Sequence, residues 1–550
     1  MLAWGQQRPD AGGILEQQRE RVPLPAPKRE VLPAPPPPPA LSAPALRVRV
    51  TAFRISGNTV FSQQDLLPIV REFVGRELDF KDLNEAASRI RAYYRARGHF
   101  LAQAYLPRQQ ISGGVVEIAV LEGRLGKVEP RVILGAGLKE SFARGVLEAH
   151  LAPGAVITET GLERPLLLLS DLPGVSVSSN IGPSRETVGA ADLQVNIEED
   201  PRQTYGYADL DNGGNRFTGR YRLGVSAAAS NFTGYGDQLS FRGFISDERM
   251  HFGRIAYAIA LGYYGTRVGV SYTGFDYRLG KDFAALDAHG NGEVASLYAT
   301  YPFVRTRNAN FIVQVAIESK NLKDQIDTIA TVEDRKIRSA KLGAVGDFRD
   351  AGLGGGLNSY SLTWTKGKLT LDQPGLLAAD QAPATGLQTA GDFNKTNADF
   401  RRLQRISDSM SLELALIGQA AGKNLASAEK FSLGGPAGVR AYPVGEATGD
   451  SGFLASGELR YIVQGFKLLG GDVTWALFYD AGRIRTDQVP LATNTTNNRA
   501  LAAWGLGFSV GKERDFLFKA VVAARAGKEK PTSDSAARDP MVWVQAMKWF

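Results

Sequence analysis

The sequence contains no cysteine. Disulfides and thiolate-ligated metals are therefore excluded. Histidine is almost as scarce: His99, His150, His251 and His289 stand apart, with no ligand spacing that suggests zinc. No run approaches 18 apolar residues, so no transmembrane helix is expected. A membrane barrel is not excluded, because its strands alternate and never build a long apolar run. The opening MLAWGQQRPDAGG lacks a basic stretch followed by an apolar core; either a signal peptide has been removed or the protein is cytoplasmic. No phosphate-binding GxxxxGK[ST] loop occurs, which removes nucleotide as an energy source. A net charge of +7 admits nucleic acid or acidic partners, but a charged barrel lumen accounts for it equally well.

What is present falls into three parts. Residues 10 to 22 form a short helix candidate with Ile14, Leu15 and Val22 on roughly one side, too short to stand alone. Residues 23–46 hold ten prolines and read as an extended linker. Next come two units, 47–122 and 123–201, that share the order strand, helix, helix, strand, strand. In the first, Ser62 is a helix N-cap, and Leu83, Ala87, Ile90 and Tyr94 line one helical face. Arg91 and Arg95 sit one turn apart and read as a solvated face. The segment Phe100, Leu101, Ala102, Gln103, Ala104, Tyr105, Leu106 reads as an edge strand, open to pairing with an extended partner segment.

From Gln203 onward helical periodicity vanishes. Residues 202–550 divide into sixteen glycine- and aromatic-rich segments of strand length, among them 293–301, 309–318 and 335–349. Connections after even-numbered strands are short; those after odd-numbered strands, from the fifth on, are long and polar: 279–292, 319–334, 370–393, 421–451, 483–499 and 526–539. Long loops kept on one side are the mark of an outer-membrane barrel. The expected fold is thus an α+β amino-terminal part followed by an all-β, 16-stranded transmembrane barrel.

Two motifs stand out in the barrel. The loop 421–451 carries GVRAY, residues Gly438, Val439, Arg440, Ala441 and Tyr442. The thirteenth strand carries FYDAG, with Phe478, Asp480 and Gly482 on one face. A carboxylate on an apolar strand needs a partner. If the loop folds inward, Arg440 and Asp480 form a charge-assisted pair that locks it across the pore. The tetrapeptide GDSG, 449–452, matches the surroundings of serine-protease nucleophiles, but no histidine has a supporting context, and no catalytic residue is expected.

The order of short helix, proline-rich linker, two repeated units and sixteen strands, with GGPAGVRAY in the sixth long loop and FYDAG in the thirteenth strand, resembles the outer-membrane transporters of two-partner secretion, the TpsB family. The repeated units look like that family's polypeptide-transport-associated (POTRA) domains. In the family the third loop position is usually glycine where this chain has Ala441, which puts the local backbone in question. The resemblance implies a bacterial outer-membrane protein with POTRA domains in the periplasm. It implies translocation of a large secreted partner, unfolded and bound through its amino-terminal region, with no nucleotide, nucleic acid, cofactor or metal. It also implies that helix 1–22 plugs the resting pore. A barrel-assembly factor of the same superfamily is the alternative, and a diffusion porin is a weaker one.

Overall fold

In the computed structural model the described residues are 8–18, 47–132, 137–187, 189–199, 204–491 and 496–550. The linker 23–46 and residues 19–22 of the expected helix lie outside them.

The first unit starts with the strand Ala52–Ser56 and the helices Gln63–Val70 and Phe80–Arg95. Ser62 and Asp65 cap the first helix reciprocally, and Asp79 and Asp82 cap the second, so the orphan amides at both helix starts find acceptors. The last strand, Val115–Leu121, takes the centre of the sheet. It is parallel to Ala52–Ser56 and antiparallel to Gln103–Tyr105, which is left at the edge. Ile55, Leu66, Ile90, Tyr94 and Ile118 fill the core. A two-residue pairing of Val48–Arg49 with Glu77–Leu78 is too short to leave a period in the sequence. The second unit repeats the topology: Ala190–Glu199 lies between Arg124–Val132 and Val175–Pro183, under the helices Glu140–Glu148 and Glu159–Ser170.

Sixteen antiparallel strands then close into a barrel, sealed where Gln545–Trp549 pairs with Tyr207–Asp211. Closure leaves no sheet edge, as a lipid environment requires. Alternation is sharp on the thirteenth strand, Gly471–Arg485: Trp475, Leu477 and Tyr479 point outward and are 50%, 52% and 53% exposed, while Phe478 and Asp480 point inward and are buried.

One connection expected to be long is not, and a second is shorter than expected. The seventh and eighth strands, Ala309–Ile326 and Thr331–Asp350, run on as a hairpin, so the connection is 327–330 rather than 319–334. Lys320, Asp324 and Arg335 alternate to the inside of this extension and find ionic partners there. Charge in a strand that outgrows the apolar band thus mimics a loop. The sixth strand, Ala288–Arg305, likewise begins inside the expected loop 279–292. Lys548, which interrupts the apolar alternation of the last strand, reaches Asp515 in the neighbouring periplasmic turn.

The second unit seats on the periplasmic turns of the early hairpins. Arg305 holds Asp171 through two nitrogens, at 2.5 and 2.7 Å, and Arg307 holds Glu163 and Glu159, both at 2.6 Å. Lys139 lies 4.0 Å from the centre of the Tyr235 ring.

Candidate functional site

The connection 422–450, between the eleventh strand Met410–Ala421 and the twelfth Ser451–Leu468, turns into the lumen. Its neck is a pairing of Phe431–Ser432 with Thr448–Gly449. Beyond the neck the chain folds tightly on itself: Val439 donates its amide to the Leu433 carbonyl at 2.7 Å, and Gly435 donates to Tyr442 at 3.0 Å. Gly438 is required here, because a Cβ would lie 1.8 Å from the Leu433 carbonyl oxygen. This turn aims Arg440 at the thirteenth strand.

Asp480, fully buried, receives four hydrogen bonds. The Arg440 backbone amide, Nε and Nη2 donate at 3.2, 2.8 and 2.9 Å, and the Ser456 hydroxyl donates at 2.7 Å. Arg440 also donates from Nη1 to Glu458 at 2.5 Å, and its guanidinium lies 3.3 Å from the Phe478 ring centre. The Trp543 indole caps the Arg440 carbonyl at 2.7 Å. A buried ion pair recovers its desolvation cost only when its remaining lone pairs and protons are also satisfied, and here they are. Gly482, two residues on, leaves room for the loop; a Cβ there would meet Leu433 at 2.6 Å. Val439 and Tyr442 are fully buried, and the tyrosine hydroxyl donates to the Glu529 carbonyl at 3.0 Å. Ala441 is fully buried and is not among the residues with positive φ, so alanine fits without strain.

Three further carboxylates hold the loop, and the sequence gives no spacing that would single them out. Glu446 accepts from Arg499 at 2.5 Å and from the amides of Thr532 and Ser533 at 3.0 and 2.8 Å. Asp450 accepts from the amides of Leu425 and Gln488 at 3.0 and 2.7 Å and pairs with Lys430. Glu429 lies between Lys320 and Lys395, at 2.7 and 2.8 Å. They are the three acids of a glycine-rich loop, and acids are no denser there than in the rest of the chain. The GDSG residues are part of this scaffold: Ser451 accepts the Ala421 amide at 3.0 Å and donates to Gln488. Histidine contacts lie elsewhere; His289 sits beside Asp287 and Asp327, with ligand-capable atoms of the three within 4.8 Å of one another.

The short helix Ala11–Gln17 lies inside the barrel against this loop. Asp10 caps it and accepts the Ser427 hydroxyl at 2.7 Å. The Ala11 amide donates to Asp324 at 2.8 Å, and Arg335 pairs with the same carboxylate at 2.7 Å. Gly12 allows the close approach, since a Cβ would sit 2.2 Å from the Ser427 Oγ.

In the first unit the expected edge strand 100–106 shortens to Gln103–Tyr105. Leu101 turns into the core of the second unit, and Ala102 and Ala104 turn into that of the first; Phe100 and Leu106 flank the strand, half-buried. Burial of Leu101 and Ala102 in the turn after the helix takes those residues out of the strand.

The profile of the haemolysin secretion/activation protein family ShlB/FhaC/HecB matches residues 189–510, and the ShlB-type POTRA profile matches residues 48–123. The heme/hemopexin transporter protein HuxB of Haemophilus influenzae is 28% identical over 489 residues, covering 88% of this chain and 84% of that protein. The outer membrane transporter CdiB of Dickeya dadantii is 23% identical over 484 residues, covering 86% and 82%. The solved structure of CdiB from Escherichia coli superposes with a TM-score of 0.71 at 19% identity, covering 94% of each chain. Repeated periplasmic units, a closed sixteen-stranded barrel and these matches together place the chain in the ShlB/FhaC/HecB family of two-partner secretion transporters of the outer membrane.

Proposed function

We propose that the chain passes its secreted partner unfolded through a pore held shut at rest by two of its own segments. The loop 422–450 is pinned by Arg440 and Asp480, and the helix Ala11–Gln17 rests on that loop. The observation that carries this reading is the fully buried Asp480, whose four donors come from the inserted loop and the neighbouring strand. A diffusion porin has no use for such an obstruction or for periplasmic units. The partner enters through its amino-terminal region, which adds to the edge strand Gln103–Tyr105 by main-chain pairing. The outward apolar face of the barrel meets outer-membrane lipid. Folding of the partner outside supplies the direction.

The test is secretion of a large exoprotein supplied as the transporter's partner. Arg440→Asp and Asp480→Arg each reduce secretion severely, and the double swap restores part of it. Wild-type secretion by both single variants contradicts the proposal.

A further inference from the structure

Arg91 and Arg95 stand out in the first unit as cations that no acid of the described residues balances. On the helix Phe80–Arg95 the core face carries Leu83, Ala87, Ile90 and Tyr94. One flank faces the preceding helix: Arg89 pairs with Glu72 at 2.5 Å and lies over the Phe73 ring, and Tyr93 packs edge-on against Phe61. Arg91 and Arg95 occupy the other flank. The helix packs over the edge strand Gln103–Tyr105, so that flank borders the open side of the sheet.

Both residues are half-buried, and among the described residues neither has an ion-pair partner. Arg91 donates to the Ser88 hydroxyl at 3.0 Å, a neutral acceptor. Arg95 Nε is buried with no hydrogen-bond partner. Burial first, then the charge of Arg91, pushes the Arg95 guanidinium below its ordinary value. Like charges one turn apart work against the helix. A stabilising surface would have an acid here; this one keeps two cations and an orphan donor.

We infer that this flank and the strand edge together receive an extended segment of the secreted partner that carries carboxylates at alternate positions. The inference rests on the edge-pairing reading above and adds the chemistry of what pairs. Geometry sets the spacing. Arg91 and Arg95 are separated by about 6 Å along the helix axis. Side chains at i and i+2 of a strand are separated by about 6.5 Å on the same face. Two acids at i and i+2 of an added strand therefore meet the two guanidinium groups in register. Charge-assisted, bidentate pairing would satisfy Arg95 Nε and relieve the repulsion.

The probes are three labelled peptides of about ten alternating Val and Thr residues, a length typical of strands. They carry Asp-x-Asp, Asn-x-Asn or Lys-x-Lys at the centre, and binding to the full-length protein in detergent is read by fluorescence anisotropy. The acidic peptide binds at least about tenfold tighter than the neutral one at low ionic strength, and the preference collapses in high salt. Arg91→Glu with Arg95→Glu reverses the order in favour of the Lys peptide, while Arg89→Gln on the opposite flank leaves it unchanged. Equal binding of all three peptides, or an acidic preference that survives the double reversal, overturns the inference. Backbone N-methylation of the acidic peptide at alternate residues tests the edge reading separately. Loss of binding supports it; retained charge-dependent binding overturns edge pairing and leaves the arginine site standing.

Discussion

Asp480 shows how much rests on one side chain. Replacing it with alanine removes the acceptor of three Arg440 donors and leaves that buried cation with Glu458 alone, a loss of up to about 3–5 kcal/mol, the cost of breaking a buried pair outright. Asp480→Ala is therefore expected to lower the thermal unfolding temperature of the purified barrel and to raise its conductance. Unchanged unfolding would mean the pair is idle. Gly438→Ala is expected to be at least as harmful locally, because the added methyl would overlap the Leu433 carbonyl; limited proteolysis should then cut within 422–450. Arg440 and Asp480 were legible in the sequence because strand alternation turns a lone aspartate inward and an inward aspartate demands a cation. Glu446, Glu458 and Trp543 were not. Their partners lie on other strands or loops, up to 103 residues away in the case of Trp543 and Arg440, and no local period records such a meeting.

At the scale of elements, Glu122 ties the last strand of the first unit to the turn before its first helix. Burial alone would raise its carboxyl. The Thr59 hydroxyl, the amides of Val60 and Thr59, and the Tyr94 hydroxyl outweigh burial and hold it below the ordinary 4.5. A carboxyl depressed in the folded state contributes stability above its unfolded value, and that contribution fades as pH falls through the folded value. Hydrogen exchange in the first unit should thus separate wild type from Glu122→Gln at pH 7, and the gap should narrow below about pH 4.5. A gap that widens in acid would contradict the assignment. The helix Ala11–Gln17 offers a second test. Gly12→Leu cannot be seated against Ser427 and Ala428, so the helix should leave its berth and the channel should open more often in planar bilayers. Helices and most strands were legible from period and capping residues. The full length of the hairpin 309–350 is not legible, because its outer half is charged: such polarity looks like a loop, whereas its cause is paired charges inside the barrel.

For the molecule as a whole, the two periplasmic units and the barrel form a continuous chain of contacts. Leu101 of the first unit packs in the core of the second, and Arg305 and Arg307 fasten the second to a barrel turn. Arg307→Glu should loosen this seat and broaden the distribution of spin-label distances between the second unit and the barrel, and Glu163→Arg in the same chain should narrow it again. None of this docking could be read from sequence, since arginines in a short turn look like any solvated turn. The central claim is that the bore is blocked from within by the chain's own helix and loop. Single-channel conductance in planar bilayers tests it most directly, comparing the intact protein with a variant lacking residues 1–18 and with that deletion combined with Asp480→Ala. The account predicts a mostly closed intact channel, frequent opening after the deletion, and larger, sustained opening in the combined variant. A steady conductance that is the same in all three would contradict it.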